Sequence, residues 1–316
     1  MRLRIFVEPQ RGATYAQILA VAREAEGLGF DGFFRSDHYL TTDASAGWPS
    51  QSDSWTTLAG LARETSRLRL GTLVTAATFR LPGPLAVAVA QVDHMSSGRV
   101  ELGLGAAWHE AEHVAFGIPF PPVGERFERL EEQLSILTGL WSTPEGEPFT
   151  FVGRHYRLQG NPAQVRPLQR PRPPIIVGGE GRPRTARIAA RFADEFNVPF
   201  RPLEPCRAAF ARVRSACEAI GRDPAGLRLS VALTVCCGAT ETEVLGRARA
   251  MGRTVGELAE EGVAGRPDEV AAALAARAAA GADTVYLQLL DLTDLDHLRL
   301  IAAEVAPQLA GIGPAR

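Results

Sequence analysis

Short β-rich runs alternate with amphipathic helical stretches along the whole chain, and that alternation restricts the fold more than any other feature. The runs fall at 3–8, 32–36, 68–76, 99–104, 174–178, 195–198, 227–236 and 284–290. Helical patterns lie between and after them at 15–28, 54–64, 84–95, 126–141, 185–192, 205–220, 241–251 and 294–309, the first with Ile18, Leu19, Ala22 and Ala25 on one face. A strand that returns through a helix to a neighbouring strand must run parallel to it, with a right-handed crossover. Eight such units predict an α/β fold of the closed (β/α)8, or TIM, barrel type. The competing open doubly wound sheet needs fewer strands and a Gly-x-Gly-x-x-Gly after the first, which is absent here. With 46% of its 316 residues apolar, the chain can fill one large core, so residues 1–316 are expected to form a single domain. The regular alternation is interrupted by an insertion between strands four and five, with a short helix near 110–116, a proline turn at 119–122, a long helix, a hairpin at 149–158 and an extended Pro/Arg-rich run at 162–174. A second extra piece, 257–281, carries a helix at 267–280.

Charge and cysteine usage narrow the partners. All 34 basic positions are arginine, the net charge is -2, and no segment concentrates arginine without nearby acids, which argues against nucleic acid. Four cysteines without a Cys-x-x-Cys pair read as free thiols in a reducing compartment. The chain enters a strand at once, with no signal-peptide pattern, and no uncharged run exceeds the one at 81–92, well short of the roughly 20 residues a membrane span needs. A cytoplasmic protein acting on a small molecule is the expectation.

A parallel barrel builds its site at the carboxyl ends of its strands. Those positions hold Glu8 to Gln10, Asp37 and His38, 74–79, 106–109, 178–184, Asn197 and 288–291. His38 follows Asp37 directly, so an adjacent acid can tune it for acid–base work; a histidine that only hydrogen-bonds a helix end or a cofactor fits the spacing equally well. Gly103 and Gly105 end strand four and leave backbone N–H groups open to a flat ring or a phosphate. Gly178, Gly179, Glu180 and Gly181, followed by Arg182, Arg184 and Thr185, read as a phosphate cup at a helix N-terminus, against a plain strand-to-helix turn. A polyanionic tail would meet Arg166, Arg170 and Arg172, unless those arginines are simply solvated. His109-Glu-Ala-Glu-His113 matches the His-Glu-x-x-His of zinc peptidases, but the helix is interrupted by Gly117 and Pro119 and no third ligand follows, so no metal is expected. His109 and Glu110 instead read as a helix start beside a cofactor, His113 as a packed or surface residue, and Glu101 as an ion-pair partner within the barrel.

Taken together these residues resemble the bacterial-luciferase-like barrel superfamily, and within it the oxidoreductases that use coenzyme F420, a deazaflavin. The resemblance runs through 29–38 (Gly-Phe-Asp-Gly-Phe-Phe-Arg-Ser-Asp-His), 68–80, 97–105 (Ser-Gly-Arg-Val-Glu-Leu-Gly-Leu-Gly), 125–131, 153–158 and 175–181. It implies a tricyclic ring in the barrel mouth against a bulge with a non-proline cis peptide between Leu73 and Val74, and so cofactor contacts from Leu73, Val74 and Thr75. It further implies Asp37 near the deazaflavin, His38 as the catalytic residue near the hydride-accepting carbon, Gly105 and Ala106 flanking the ring, and Gly178, Gly179, Glu180 and Gly181 on the pyrophosphate side. Glu8, Trp108, His109 and Asn197 are expected to meet the substrate. One departure matters: similar sugar-phosphate dehydrogenases carry a glutamate where Trp108 stands, which makes a sugar phosphate doubtful and an apolar wall the expectation. The implied activity is hydride transfer between F420 and a small organic substrate. Its alternatives are an FMN-dependent monooxygenase of the same superfamily and a non-catalytic flavin- or deazaflavin-binding protein, with a zinc hydrolase a distant third. Relatives are often homodimers, and the stretch 39–55 is long enough for a lid.

Overall fold

The computed structural model describes residues 1–41 and 52–313. The eight predicted strands all form, as β1 (Arg2–Val7), β2 (Gly32–Arg35), β3 (Arg69–Thr72, with a continuation Thr75–Ala76), β4 (Val100–Gly105), β5 (Ile175–Gly178), β6 (Glu195–Pro199), β7 (Arg228–Cys237) and β8 (Thr284–Leu289). Each pairs in parallel with its neighbours, and pairing of β8 with β1, Thr284 opposite Arg2, closes the ring. The protein is a closed (β/α)8 barrel.

Side-chain alternation separates two cores. Along β1, Leu3, Ile5 and Val7 pack against the surrounding helices, whereas Phe6 joins Phe34, Leu73, Ile176, Ala232 and Tyr286 inside the barrel. Below that apolar plug lies a charged layer. Buried Arg4 donates to Glu101 at 2.8 and 3.0 Å and to Tyr286 Oη at 2.8 Å, and Tyr286 in turn donates to Glu195 at 2.7 Å. Glu101 is thus the ion-pair partner expected from its place inside strand four.

The helices follow the predicted pattern: α1 (Tyr15–Gly27), α2 (Ser54–Glu64), α3 (Pro82–Met95), α4 (Glu110–Ala115), α5 (Val123–Ser142), α6 (Pro183–Phe192), α7 (Leu203–Ala219), α8 (Glu241–Ala250), α9 (Val255–Glu261), α10 (Pro267–Ala279) and α11 (Leu295–Leu300). α1 opens on a capping box, Thr14 with Gln17, and α2 on the Asp53 carboxylate. The insertion after β4 holds α4, α5 and an antiparallel hairpin, Phe149–Val152 with Arg157–Asn161. The structure departs from expectation in two places. A strand at Gly262–Gly265 pairs with the end of β7, which at ten residues overruns the ring and offers a free edge. The final helix, expected to run through 309, is regular only to Leu300 and continues as a π turn and a 3-10 turn, the latter carrying Pro307, which has no N–H to continue the ladder.

Candidate active site

A cavity of about 770 Å³ opens at the carboxyl ends of the barrel strands. Its floor is set by one bulge. The Leu73–Val74 peptide is cis, as the resemblance implied, and it turns Val74 across the neighbouring strands. A Cβ on Gly103 or Gly105 would stand 2.8 Å from a Val74 methyl, and one on Gly178 3.2 Å. These glycines therefore admit a side chain of the protein itself, and the open backbone edge expected at Gly103 is covered. Gly105 and Gly178 still reach the cavity, beside Leu73, Val74 and Ala106. Two non-glycine residues of the wall, Ala107 and Phe200, hold left-handed backbone at φ 66° and 47°; Ala107 is fixed by a 2.6 Å bond from Arg126 Nη1 to its carbonyl.

His38 lines the same cavity, with its Nδ1 2.8 Å from Glu112 Oε1. Glu112 is buried, and its Oε2 accepts the Tyr39 N–H at 3.1 Å and the Leu40 N–H at 3.5 Å. Burial works against a charged His38, but the bond from Glu112, its charge, and then the charges of Glu8 and Asp37 outweigh it and raise the imidazole above its ordinary value. The tuning acid is thus chiefly Glu112 rather than the adjacent Asp37. Asp37 is buried in an ion pair with Arg80, which also binds Asp53 and Tyr39.

α4 is too short to stand by itself and is fastened from both sides. His113 receives or gives a bond at each ring nitrogen, to His109 O and to Thr78 Oγ1, both at 2.7 Å. It packs against Phe79 and Phe120, while Tyr39 stacks on Phe79 and Phe116. With both nitrogens engaged, His113 offers no lone pair beside His109, and among the described residues no group of three His, Cys, Asp or Glu side chains could hold a metal ion.

The phosphate cup is built as a turn between β5 and α6. Gly179 N donates to Asn197 O at 2.9 Å, and Gly181, at φ 64°, packs its backbone against Ala209. Arg182, at the α6 N-cap, makes no side-chain cap, so the first-turn N–H groups of a ten-residue helix stay available. Glu180 is bonded by Arg182 and Arg201, and the nearby Arg201 holds its carboxylate below the usual range. Gly178, Gly179, Glu180, Arg182 and Thr185 line the cavity; Arg166, Arg170 and Arg172 do not, and Arg172 is paired with Asp194.

Of the expected site residues, the structure gathers Glu8, His38, Leu73, Val74, Gly105, Ala106, Trp108, Gly178, Gly179, Glu180 and Asn197 around one cavity. Asp37, Thr75, His109 and Gly181 stand behind its wall. Thr75 bonds Thr72 and Trp55, and burial of the His109 ring disfavours its charged form. Sequence reasoning passed over Glu112, although its place four residues after Trp108 puts it on the same helical side. It also missed Phe200 and Arg201. The expected lid falls mostly on 42–51, outside the described residues.

The family model for luciferase-like monooxygenases matches residues 1–283. An F420-dependent glucose-6-phosphate dehydrogenase of Nakamurella multipartita is 37% identical over 188 residues, 59% of this chain and 52% of that protein. An uncharacterised protein of Mycobacterium tuberculosis is 31% identical over 242 residues, 71% of this chain and 80% of that protein. The chain spans about half the length of the glucose-6-phosphate dehydrogenases it matches. Among solved structures, monooxygenase RslO1 from Streptomyces bottropensis superposes with a TM-score of 0.83 at 25% identity, covering 98% of this chain and 100% of that one. An F420-dependent secondary alcohol dehydrogenase in complex with an F420–acetone adduct shares the fold, with a TM-score of 0.84 at 18% identity and 98% of each chain covered.

Proposed function

The chain belongs to the luciferase-like monooxygenase family, and from that premise we propose that it is an F420-dependent oxidoreductase moving a hydride between a deazaflavin and a small organic substrate. The observation that carries the reading is the cavity itself: about 770 Å³, floored by backbone and aliphatic side chains, with an uncapped helix N-terminus on one side and a carboxylate-held imidazole on the other. That volume lies in the range typical of cofactor sites. The donor set suits a planar ring with an anionic arm. Leu73, Val74, Gly105 and Ala106 would hold the ring, and the 178–181 turn with Thr185, Arg182 and the α6 N-terminus would hold the phosphate.

Bound deazaflavin supplies a two-electron hydride carrier. The chain's own part is orientation, dryness and the proton. Glu112 fixes the His38 ring through Nδ1, leaving Nε2 as the nitrogen that can exchange a proton with substrate. Trp108, 64% exposed, forms an aromatic rim above, while Glu8 and Asn197, the latter held by Ser230 at 3.0 Å, are placed to meet substrate from the β1 and β6 ends. Glucose 6-phosphate is not carried over from the relatives, because an indole at Trp108 can neither give nor take the proton that a glutamate there would handle.

A second reading, an FMN-dependent monooxygenase, draws on the 25% identity with monooxygenase RslO1 across nearly the whole chain. Fluorescence titration of purified protein with F420 and with FMN separates the two. Micromolar or tighter F420 binding with FMN at least tenfold weaker supports the first, and tight FMN with negligible F420 ends it. A cytoplasmic home is supported by four free cysteines, and no helix of the described residues is long and apolar enough to cross a membrane. Light scattering on the purified protein tests the homodimer.

A further inference from the structure

The inner end of the cavity concentrates acidic groups around one imidazole and places no cation beside them. Three carboxyl groups line the cavity: Glu112 is committed to His38, Glu180 to Arg182 and Arg201, and Glu8 has no ion-pair partner among the described residues. Glu8 leaves the end of β1 beside β2, whose register sets Val7 opposite Arg35, so it and His38 issue from adjacent strand ends. Gln10, itself held by Ser36 at 2.6 Å, hydrogen-bonds the Glu8 carboxyl. The other charged groups near His38 are Asp37, neutralised by Arg80, and His109, whose ring lies 6.1 Å away. The arginines of the cavity wall, Arg126, Arg182 and Arg201, come instead from α5 and from the turns after β5 and β6.

We propose that His38, bonded by Glu112 and accompanied by Glu8, enters the reaction as a proton donor, and that the chain works as a reductase of uncharged ketones or aldehydes. The proposal rests on the hydride-transfer reading above and gives it a direction and a substrate class. A substrate carboxylate or phosphate at this end would meet Glu8 and Glu112, whereas a carbonyl oxygen meets a donor, with Phe6, Leu73 and Phe200 around the carbon skeleton. In the step, a hydride from reduced deazaflavin brings one hydrogen and two electrons to the carbonyl carbon. The C=O π pair moves to oxygen, and oxygen takes the Nε2 proton to give an alcohol. Neutral His38 keeps its Nδ1 proton toward Glu112, and water returns the Nε2 proton. The electrostatics agree in direction. Burial alone would empty the imidazole, but Glu112, Glu8 and Asp37 hold its proton above the ordinary value. Glu8 is itself raised by burial, against the charges of His38, Arg11 and Arg253 and the bond from Gln10, so the pair retains a transferable proton toward neutral pH.

The first measurement needs no cofactor. Two-bond ¹H–¹⁵N spectra of histidine-labelled protein between pH 5 and pH 9, with His38 identified by its loss in His38→Asn, report both protonation and tautomer. His38 is expected to titrate above its ordinary midpoint with Nδ1 protonated throughout, and to move to lower pH in Glu112→Gln and Glu8→Gln, with Glu112→Asp restoring part of the shift. A His38 already neutral at pH 6, or a midpoint unmoved by either Gln variant, overturns the proposal; Glu8 lies on the cavity wall, so its variant decides the matter where Glu112→Gln fails to fold. The second measurement is turnover. Ketone reduction with reduced F420 should exceed oxidation of the matching alcohol with oxidised F420 at pH 7 and decline above the His38 midpoint. In Glu112→Gln kcat should fall at least tenfold with KM within about twofold. Faster alcohol oxidation, or no ketone reduced by protein that binds F420, overturns it. Failure to bind F420 at all sinks the cofactor reading alone, and the imidazole titration then decides whether His38 is the proton donor.

Discussion

Val74 occupies the space that Gly103, Gly105 and Gly178 leave by lacking side chains, and this single contact sets the level of the cavity floor. A Cβ on Gly103 would stand 2.1 Å from the Thr72 carbonyl oxygen as well as 2.8 Å from Val74 Cγ1. Paired strand backbone cannot yield by that much, so Gly103→Ala is expected to cost about 1–3 kcal/mol by overpacking. Gly27→Ala is the contrast, because nothing lies within 4 Å of the added carbon at the end of α1; it should stabilise by about 0.4–1 kcal/mol through the unfolded chain. Urea unfolding of the two variants checks the pair, and shifts of the same sign would contradict this origin of the floor. The glycines at the ends of β4 and β5 were legible in the sequence as marks of a site. Their reason was not, since what they admit is a side chain from β3, and spacing along one strand says nothing about what a neighbouring strand leans across it. Asp37 shows the same limit: adjacency to His38 suggested a tuning acid, while Arg80, more than forty positions on, claims it.

The insertion after β4 is the element on which the proton chemistry rides. α4 has six residues, carries Glu112, and keeps its place through His113, which bonds His109 O and Thr78 and packs between Phe79 and Phe120. Removing that ring leaves a void and two unpartnered polar atoms, so His113→Ala is expected to lose about 3 kcal/mol and to loosen α4 in preference to the barrel. Hydrogen exchange followed by mass spectrometry reads this directly: amides of 110–115 should exchange faster while those of β4 and β8 stay protected. Uniform acceleration across the barrel would show that His113 supports the whole fold instead. The sequence pattern around α4 drew attention to its two histidines because their spacing matches a metal motif; the functional residue lies between them, and only a fold that brings the β2 exit against α4 reveals it. The eight strands and their helices were legible because parallel βα units write their period into the sequence. The strand at Gly262–Gly265 was not, since four residues without alternation become a strand only where β7 overruns the ring; a Cβ on Gly262 would lie 2.0 Å from Thr234 O, so the close approach depends on glycine.

Across the whole molecule the barrel divides its interior between a charged base and a site at the mouth, with an apolar plug of Phe6, Phe34, Leu73, Ile176, Ala232 and Tyr286 between them. Glu101 anchors the base. Burial would raise its carboxyl, but Arg4, Arg69 and Arg228 outweigh that and hold it down at about 2 against an ordinary 4.5. A carboxyl lowered in the folded state contributes stability that is complete above its unfolded value and disappears as pH falls through the folded one. The unfolding free energy should therefore drop between about pH 4.5 and about 2 as this network protonates. Glu101→Gln should flatten that acid limb and, by leaving Arg4 and Arg69 short of a buried counter-charge, cost about 3–5 kcal/mol at pH 7. Because the plug separates base from mouth, the same substitution should leave the cofactor dissociation constant within about twofold. Denaturant titrations at a series of pH values, with cofactor fluorescence on the same samples, measure both quantities. A variant that loses stability and cofactor affinity together would mean that the two ends of the barrel are coupled through the plug, and that the charged base helps to shape the site as well as to hold the strands.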